Sequence, residues 1–310
     1  MSTDSPFVLA RATVTAVERV SPSFVRITFG GDQLAEFGID GPMLDQRIKL
    51  IFPGASGELP TVSSGDDWYT SWLALPEESR GSMRTYSVRF VDAGAAGTTS
   101  VVVDFVLHLQ PGLTGPASLW ASAADLGDQL LLFGPRRGRT WGGIEYAPGD
   151  ARTILLAGDE TAAPAIARIL EDVDRSTKGV AFIEVPEGGD ILDIDAPDGV
   201  ELRWMSRAGR GHGEVLIPSV LDYLGAQAEL DAITDAPTEN PVWETPQFSS
   251  LGEELPEGVE AGNHSDRYFW IAGESGVVTT LRRHLVKDLG IDRAQVAFMG
   301  YWRRGVAMRG

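Results

Sequence analysis

Residues 152–173, RTILLAGDETAAPAIARILEDV, decide the fold class of the second half of the chain. The first seven of these residues form a short apolar run that ends on Gly158, as expected of a buried β-strand. The run that begins at Asp159 is predicted to form a helix through Pro164. A buried strand is therefore followed directly by a helix.

The same alternation continues further along the chain. The strand-like runs GVAFIEV, VELRWMS and RYFWIAG follow, and the last of them leads into the helical run ESGVVTTLRRHLVKDLG. Apolar strands that alternate with helices indicate a parallel sheet covered by helices. We therefore predict an α/β domain over residues 150–310.

Residues 7–133 have a different rhythm. They contain short alternating or β-branched runs between Gly, Pro and Asp turns, namely RATVTAVERV, FVRITF, RIKLIF, RTYSVRF, TSVVVDFVLHL and DQLLLF. This spacing predicts an antiparallel β barrel of six strands over residues 1–145. Since the rhythm changes after YAPGD, we place the domain boundary in residues 140–150.

Composition excludes several classes of function. The chain has no cysteine, so thiolate zinc sites, cysteine nucleophiles and cysteine-ligated iron–sulfur clusters are excluded, and redox chemistry needs a bound cofactor. A formal net charge of -18 opposes phosphate backbones and anionic lipid, so we expect no nucleic-acid partner. The absence of a signal region or a long apolar run favours a cytoplasmic location without membrane insertion. The histidines are scattered without metal-ligand spacing, so we expect no structural metal.

One segment interrupts the second domain. Residues 225–263 carry many acidic residues and several prolines but no lysine or arginine. We interpret this segment as a solvated surface insertion, part of which could form a short helix. The alternative is a binding tail for a basic partner.

Two short motifs carry groups that suit a diphosphate cofactor. Residues 83–89, MRTYSVR, place a guanidinium, a phenol and a hydroxyl on a predicted strand. About thirty residues further on, Gly115 permits a tight turn and Pro116 suits the first position of a helix. The N–H groups that follow Pro116 are the donors that an anionic diphosphate seeks. An amphipathic strand and an ordinary helix start are the alternatives that remain open.

A barrel followed by an α/β domain is the layout of the ferredoxin reductase-like flavoproteins. The segment RTYS resembles their flavin motif, Arg-x-Tyr-Ser/Thr. The stretches LLAGDETAAPAIARILE, VDFVLH with GPASLWA, RYFWIAGES with LRRHL, and GYWRRG are very similar to the signature of the siderophore-interacting protein family. That family comprises flavin-dependent ferric siderophore reductases. The match is collinear over residues 7–305 apart from the acidic segment, and the chain is identified as a member of this family.

The resemblance implies that FAD lies between a flavin-binding barrel and a nicotinamide-domain-like fold. By this resemblance Arg84 engages a diphosphate oxygen, Tyr86 packs against the isoalloxazine and Ser87 approaches the edge of the flavin ring. His108 either bonds a cofactor oxygen or is a satisfied strand histidine. The positions that match the family's cofactor site are Arg84, Tyr86, Ser87, Asp104, His108, Ala117, Ser118, Asp159, Thr161 and Ala163.

The loop AGDETAAP departs from the glycine-rich turn of typical nicotinamide-binding reductases. Asp159 and Glu160 bring carboxylates to this turn, where they penalise the binding of an NAD(P)H diphosphate. These acids are assigned instead to the adenosine part of FAD or to capping of the helix. In WMSRAGR, Ser206 and Arg207 resemble the position that grips the 2′-phosphate of NADPH, although Arg207 can equally brace the fold. NADH, NADPH and reduced ferredoxin therefore stay open as electron donors.

The resemblance implies reduction of a ferric siderophore through FAD, with no catalytic protein residue and with release of Fe(II). Basic residues near the flavin are the expected docking points for the chelate, and these are Lys49, Arg303 and, less surely, Arg137. Arg137 can equally be a solubilising surface residue. Two alternatives remain: a general NAD(P)H flavin or ferredoxin-type reductase, and a flavin-containing siderophore-binding protein without turnover.

Overall fold

The computed structural model describes residues 5–63, 65, 67–94, 98–109, 114–226, 242–246, 248–249 and 266–305. The chain divides into two compact units between Ile144 and Glu145, which we call unit 1 and unit 2. Within the described ranges, no helix is both long and apolar enough to span a bilayer.

Unit 1 is built on a seven-stranded antiparallel sheet. Its strands are β1 (Phe7–Arg19), β2 (Phe24–Gly30), β3 (Arg47–Phe52), β4 (Ser82–Ser87), β5 (Phe90–Ala93), β6 (Thr99–Val106) and β7 (Gln129–Pro135). They lie in the order β4-β3-β7-β1-β2-β6-β5. The two edge strands, β4 and β5, are separated in sequence by only Val88 and Arg89. The sheet therefore has to curl round, as a barrel does.

The predicted barrel is confirmed, but its strand count was wrong by one. The run RTYSVRF was taken as one strand, whereas the chain changes its partner strand in the middle of this run. Val88 N donates to Gln46 O, before β3, over 2.9 Å, and Arg89 N donates to Val102 O of β6 over 2.8 Å. The alternating pattern continues across this change of partner, so the pattern alone does not show the break.

Three helices accompany the sheet of unit 1: α1 (Trp68–Leu73), α2 (Glu77–Arg80) and α3 (Pro116–Ala123). Ala117 and Ala121 of α3 are buried against the barrel core. Trp120 of the same helix packs against Phe52, with ring centroids 5.3 Å apart. Full burial of a side chain such as that of Phe52 stabilises the fold by about 1.5–3 kcal/mol. The start of α3 is thereby fixed against the barrel.

Unit 2 has a mixed sheet in the order β10-β9-β8-β13-β14-β11-β12. Its strands are β8 (Thr153–Gly158), β9 (Lys178–Val185), β10 (Val200–Ser206), β11 (Trp243–Thr245), β12 (Phe248–Ser249), β13 (Arg267–Glu274) and β14 (Val296–Trp302). Its helices are α4 (Ala163–Asp172), α5 (Leu216–Tyr223) and α6 (Ser275–Arg282), and α6 continues as a π-helical segment, Arg283–Asp288. From β10 to β14 all neighbouring strands are parallel, which confirms the predicted α/β class. The strand order reverses between β8 and β13, and such switch points are where ligands bind in α/β sheets.

The acidic segment is not wholly a solvated loop, as the sequence suggested. Its residues 243–245 form β11, which pairs antiparallel with β14. Glu244 is only 5% exposed, and it accepts a 2.7 Å hydrogen bond from Arg282 Nε. The prediction was wrong here because the compensating charge lies on α6, which no local pattern shows. Residues 227–241, 247 and 250–265 lie outside the described residues, and so does most of the segment assigned as a possible binding tail.

Candidate functional site

The flavin-like motif lies on β4, an edge strand that pairs with β3 alone in the described part of the sheet. Along an antiparallel pair of strands, every second residue turns its backbone N–H and C=O toward the partner strand. Because Val88 N donates to Gln46 O, Val88 is at such a position, and Thr85 and Ser87 turn their backbone groups away from β3. These N–H and C=O groups point to the outer side of the edge strand. A planar heterocycle with donors and acceptors along its edge can bind there as a further strand would.

Arg84 supplies a guanidinium at this edge. It is half-buried, and its Nη1 donates to Met83 O over 2.7 Å. Burial lowers the pKa of Arg84 from its ordinary value, although nearby Tyr86 opposes the shift. A partly desolvated guanidinium is stabilised by an anionic partner, and its fork of donors matches two phosphate oxygens.

Tyr86 shares the Arg84 face of β4, since side chains alternate along a strand. Its ring lies 4.6 Å from Phe105 between centroids, and it packs against the barrel core while part of its surface stays accessible. Burial raises the pKa of Tyr86 well above its ordinary value, with Arg84 opposing the shift. The phenol is therefore neutral at pH 7 and offers a largely apolar ring. Ser87, at the end of the strand, is buried.

The start of α3 is tied to the end of β6 through Ser118. The Ser118 hydroxyl donates to Val106 O over 2.8 Å and accepts a hydrogen bond from His108 N over 3.2 Å. Ala117 and Ser118 belong to the first turn of α3, whose N–H groups have no acceptor within the helix. A methyl group added at Gly115 would meet no atom of the described residues within 4 Å, so the described part of unit 1 leaves space before the helix. These donors and this space fit a diphosphate group such as that of FAD.

Asp104, which the resemblance places at the cofactor site, forms ion pairs with two arginines of unit 1. Its buried carboxylate accepts hydrogen bonds of 2.7 and 2.9 Å from Arg26, and Arg89 Nε lies 3.6 Å from it. The Arg89 guanidinium also lies 4.0 Å from the centroid of the Phe90 ring. Asp104 thus holds two arginines beside the end of β4. The sequence analysis did not single out Arg26 and Arg89. The available signal was an arginine inside each of the strand-like runs FVRITF and RTYSVRF.

A groove of about 1070 Å³ borders α3 in unit 1. Its lining includes Glu58, Glu77, Glu78 and Asp128 against a single cation, Arg11. This negative lining opposes a diphosphate. We therefore do not assign the groove to the cofactor's phosphates.

Of the predicted docking residues in unit 1, Lys49 lies beside the flavin motif and Arg137 contacts another loop. Lys49 Nζ donates to Thr85 Oγ1 over 3.0 Å, on the face of β4 opposite Arg84. Burial, assisted by the neighbouring Arg47, lowers the pKa of Lys49. Arg137 is exposed, and its Nη2 donates to Phe37 O over 3.0 Å.

In unit 2 the predicted site residues gather at the carboxyl ends of the strands. Asp159, directly after β8, accepts hydrogen bonds from Thr161 N at 2.9 Å, Glu274 N at 2.8 Å and Trp302 Nε1 at 2.9 Å. Ala163, the first residue of α4, is buried. Asp159 therefore connects β8, β13 and β14 across the switch point.

Ser206 ends β10 and Arg207 follows it at the same edge, but both contact other protein groups. Arg207 donates to the two oxygens of Glu160 over 2.6 and 2.8 Å, and it is buried. Burial alone would lower the pKa of Arg207, but the hydrogen bond and charge of Glu160, with the charge of Glu184, outweigh it and raise the pKa. Ser206 Oγ donates to Pro186 O over 3.4 Å. The structure thus favours a bracing role for Arg207.

Two further carboxylates at this edge were not found from the sequence. Glu184 accepts backbone hydrogen bonds at the start of α5, and Glu274 does the same at the start of α6. A charge inside the apolar run GVAFIEV and an acid directly before the helix in AGESG were the available signals.

Arg303 follows Trp302 at the end of β14 and is half-buried. The Trp302 ring meets the His212 ring edge-on with centroids 4.9 Å apart, and Trp302 O accepts a hydrogen bond from Ser275 Oγ over 3.0 Å. Together with the bond from Trp302 Nε1 to Asp159, these contacts fix the backbone from which Arg303 extends.

Comparison with known families gives two matches that cover most of the chain. The model of the siderophore-interacting FAD-binding domain matches residues 13–139, and the model of the siderophore-interacting protein matches residues 151–305. Among curated relatives, an uncharacterized protein of Mycobacterium tuberculosis is 35% identical over 94% of this chain and 89% of its own length. A ferric vibriobactin reductase of Vibrio cholerae is 30% identical over 92% of this chain and 86% of its own length. An NADPH-dependent ferric-chelate reductase of Escherichia coli is 27% identical over 94% and 91%.

Solved structures show the same likeness. A siderophore utilization protein from T. fusca has a TM-score of 0.69 and 29% identity, and the match covers 98% of this chain and 95% of that one. The ferredoxin reductase of carbazole 1,9a-dioxygenase has a TM-score of 0.55 and 17% identity, over 96% of this chain and 68% of that one. The second likeness confirms the ferredoxin reductase-like fold.

Proposed function

We propose that this chain, which belongs to the siderophore-interacting protein family, is an FAD-dependent ferric siderophore reductase. In this proposal, electrons pass from NADH, NADPH or reduced ferredoxin through FAD to an Fe(III) siderophore, and Fe(II) is released in the cytoplasm. The observation that carries the proposal is the outer edge of β4, where the backbone groups of Thr85 and Ser87 face away from β3 beside the half-buried Arg84.

The residues of unit 1 have separate tasks in holding FAD. Arg84 would neutralise the diphosphate, and the N–H groups of Ala117 and Ser118 would donate to its oxygens. Tyr86 offers its ring to the flavin, and the β4 backbone at Ser87 offers a donor and an acceptor. FAD, when bound, accepts a hydride and gives up single electrons, so it connects a two-electron donor to Fe(III).

The substrate side needs attraction rather than proton transfer. Hard oxygen ligands such as hydroxamate and catecholate hold Fe(II) less well than Fe(III), so reduction loosens the chelate. The chain carries a net charge of -18, which repels an anionic chelate unless local cations dominate within a Debye length of about 8 Å. We assign this docking role to Lys49 and Arg303, and secondarily to Arg137, which can equally be a solubilising surface residue.

The cofactor assignment is tested by the colour of the purified protein. We expect a yellow protein from which denaturation releases intact FAD, because the chain has no cysteine for a covalent link. A colourless protein that also fails to bind added FAD would contradict the assignment.

The reaction is tested anaerobically without any biological donor. The protein is reduced with dithionite and mixed in a stopped-flow instrument with a ferric siderophore, while flavin absorbance and trapped Fe(II) are followed. We expect reoxidation in step with Fe(II) release. The redox-inert Ga(III) complex of the same siderophore is the control for binding alone. Binding of both complexes without reoxidation would identify a binding protein, and reoxidation only by other acceptors would identify a general reductase.

A further inference from the structure

The fold of unit 2 raises the question of whether it binds a nicotinamide dinucleotide as its architecture implies. Sheets with this strand order bind dinucleotides outside the carboxyl ends of the strands, at the switch point between β8 and β13. The phosphates sit at helix N-termini, and glycines allow the close approach of the cofactor. Each of these features can be tested against the residues present.

The N-terminus of α5 already has an anion. Glu184, at the end of β9, is 0% exposed and accepts hydrogen bonds from Gly213 N at 2.9 Å, Val215 N at 3.2 Å and Leu216 N at 3.0 Å. Three converging N–H groups are the donor set that a phosphate would use. Here a carboxylate of the chain itself uses them.

The N-terminus of α6 is filled in the same way. Glu274 Oε2 accepts hydrogen bonds from Gly276 N at 2.7 Å and Val277 N at 3.1 Å, and Glu274 is buried. Its other oxygen, Oε1, lies 3.3 Å from Arg304 N, which donates to it. The first N–H groups of α6 are thus no longer available to a ligand.

The space at the switch point is also taken. Gly273 has a φ of +138°, and a Cβ added there would lie 2.8 Å from the carboxylate carbon of Asp159. This glycine therefore makes room for an acidic side chain of the same chain, where the dinucleotide fold uses glycine to make room for a phosphate.

The residue placed to grip a 2′-phosphate is likewise engaged. Arg207 makes a buried two-point ion pair with Glu160 and lies 3.5 Å from Glu184. Among the described residues of this edge, the carboxylates of Asp159, Glu160, Glu184 and Glu274 are buried, and the guanidinium of Arg207 is buried with them. An incoming diphosphate would meet like charges, while the donors at the starts of α5 and α6 are already used.

We infer that unit 2 does not hold a nicotinamide dinucleotide by its phosphates, so the electron donor is used without recognition of its adenosine half. This inference rests on the proposed reductase function, because it concerns the electron donor of that reaction. Its test is independent, because nucleotide binding and flavin reduction are measured without a siderophore. A reduced nicotinamide is expected to react by its nicotinamide ring alone, in a collision that does not distinguish NADPH, NADH and reduced nicotinamide mononucleotide.

Binding is measured first, on the FAD-loaded protein and without turnover. ADP-ribose and 2′-phospho-ADP-ribose are titrated in a calorimeter to millimolar concentration, and we expect no saturable heat. Saturable binding of either compound with a Kd below about 100 μM would overturn the inference.

Hydride transfer is measured next in anaerobic stopped flow. We expect the second-order rate constants for flavin reduction by NADPH, NADH and reduced nicotinamide mononucleotide to agree within about threefold. If none of the three compounds reduces the flavin, that result also agrees with the inference. Two charge-assisted hydrogen bonds to the adenosine half would slow the mononucleotide on the order of a hundredfold or more. Such a deficit would overturn the inference. Because the dithionite experiment needs no nicotinamide, failure of the proposed function is detected separately.

A pair of double variants examines Arg207 directly. Arg207→Met with Glu160→Gln removes the buried ion pair without leaving either charge unpaired. Arg203→Met with Glu201→Gln removes an exposed two-point pair on β10 and is the matched control. The readout is the ratio of NADPH to NADH rate constants within one preparation, so loss of folded protein cancels. We expect the ratio to be the same in both variants and in the parent, and a fall only in the first would reinstate Arg207 as a 2′-phosphate ligand.

Discussion

Replacement of Arg84 is the most direct test of the cofactor site. Arg84→Ala removes a half-buried guanidinium on the face of β4 that it shares with Tyr86. One of its nitrogens donates to Met83 O, which directs the side chain back along its own strand. The remaining donors of the fork are the part of the side chain that we assign to the diphosphate.

The expected loss follows from those donors. A hydrogen bond to a charged group contributes about 1.5–3 kcal/mol, and partial exposure places two such bonds near the lower end, at about 3 kcal/mol in total. A tenfold change in Kd corresponds to about 1.4 kcal/mol, so the Kd for FAD should rise on the order of a hundredfold.

The assay is titration of the apoprotein with FAD, followed by quenching of flavin fluorescence. Arg84→Lys keeps the charge but loses the fork, so an intermediate Kd is expected. Thr85→Ala changes the neighbouring exposed side chain, which points to the opposite face, and should leave the Kd unchanged. If Arg84→Ala binds FAD within about threefold of the parent and melts at the same temperature, the assignment of Arg84 to the diphosphate is wrong.

Three further predictions concern docking, the extra strand and alkaline stability. Combined replacement of Lys49 and Arg303 by Ala should slow reduction of anionic ferric siderophores far more than that of a neutral hydroxamate, with a difference that shrinks as salt is raised; equal losses at every salt concentration would exclude docking. Glu244→Ala removes a buried carboxylate that accepts a 2.7 Å hydrogen bond from Arg282 Nε, so urea unfolding of unit 2 should show a loss of about 3 kcal/mol, whereas no loss would show that β11 is dispensable. Burial raises the pKa of Tyr86 from its ordinary 10.0, so its contribution is complete below that pH and is lost as the pH rises through the folded pKa. The free energy of unfolding should therefore fall by at most about 1.4 kcal/mol per pH unit above pH 10, and Tyr86→Phe should remove this part of the slope; an unchanged slope would contradict the burial of the phenol.

Much of the fold follows from patterns that are local in the sequence. The alternation in RIKLIF and the apolar run in RTILLAG each report whether one or both faces of a strand are buried, and this separates an antiparallel barrel from a parallel sheet. The seventh strand of unit 1 was missed because Val88 and Arg89 continue the alternation while the chain changes partner. β11 was missed for a related reason, since Glu244 is acceptable inside a sheet only because Arg282 reaches it from α6.

In the candidate site, too, local motifs could be predicted from the sequence, whereas contacts between distant segments could not. The motif RTYS and the helix start GPAS are each a short unbroken stretch, so the groups that suit a diphosphate are visible in the sequence, and the family resemblance is what assigns them to a cofactor. Asp104 was placed at the cofactor site by the family resemblance, and the structure adds that its carboxylate contacts Arg26 and Arg89 on two other parts of the barrel. These contacts join segments that are distant in sequence, so a single sequence does not display them.

The carboxyl edge of unit 2 shows which contacts its acidic residues make where the dinucleotide-binding pattern has glycines. Asp159 both occupies the space before Gly273 and accepts the hydrogen bond from Trp302 Nε1, and Glu274 both caps α6 and accepts from Arg304 N. The acids that exclude a phosphate are thus the acids that fix the segment carrying Arg303. A glycine at position 159 would remove the acceptor of the Trp302 Nε1 hydrogen bond, so reopening the phosphate space that we infer to be filled would weaken one of the contacts that fix the segment carrying Arg303.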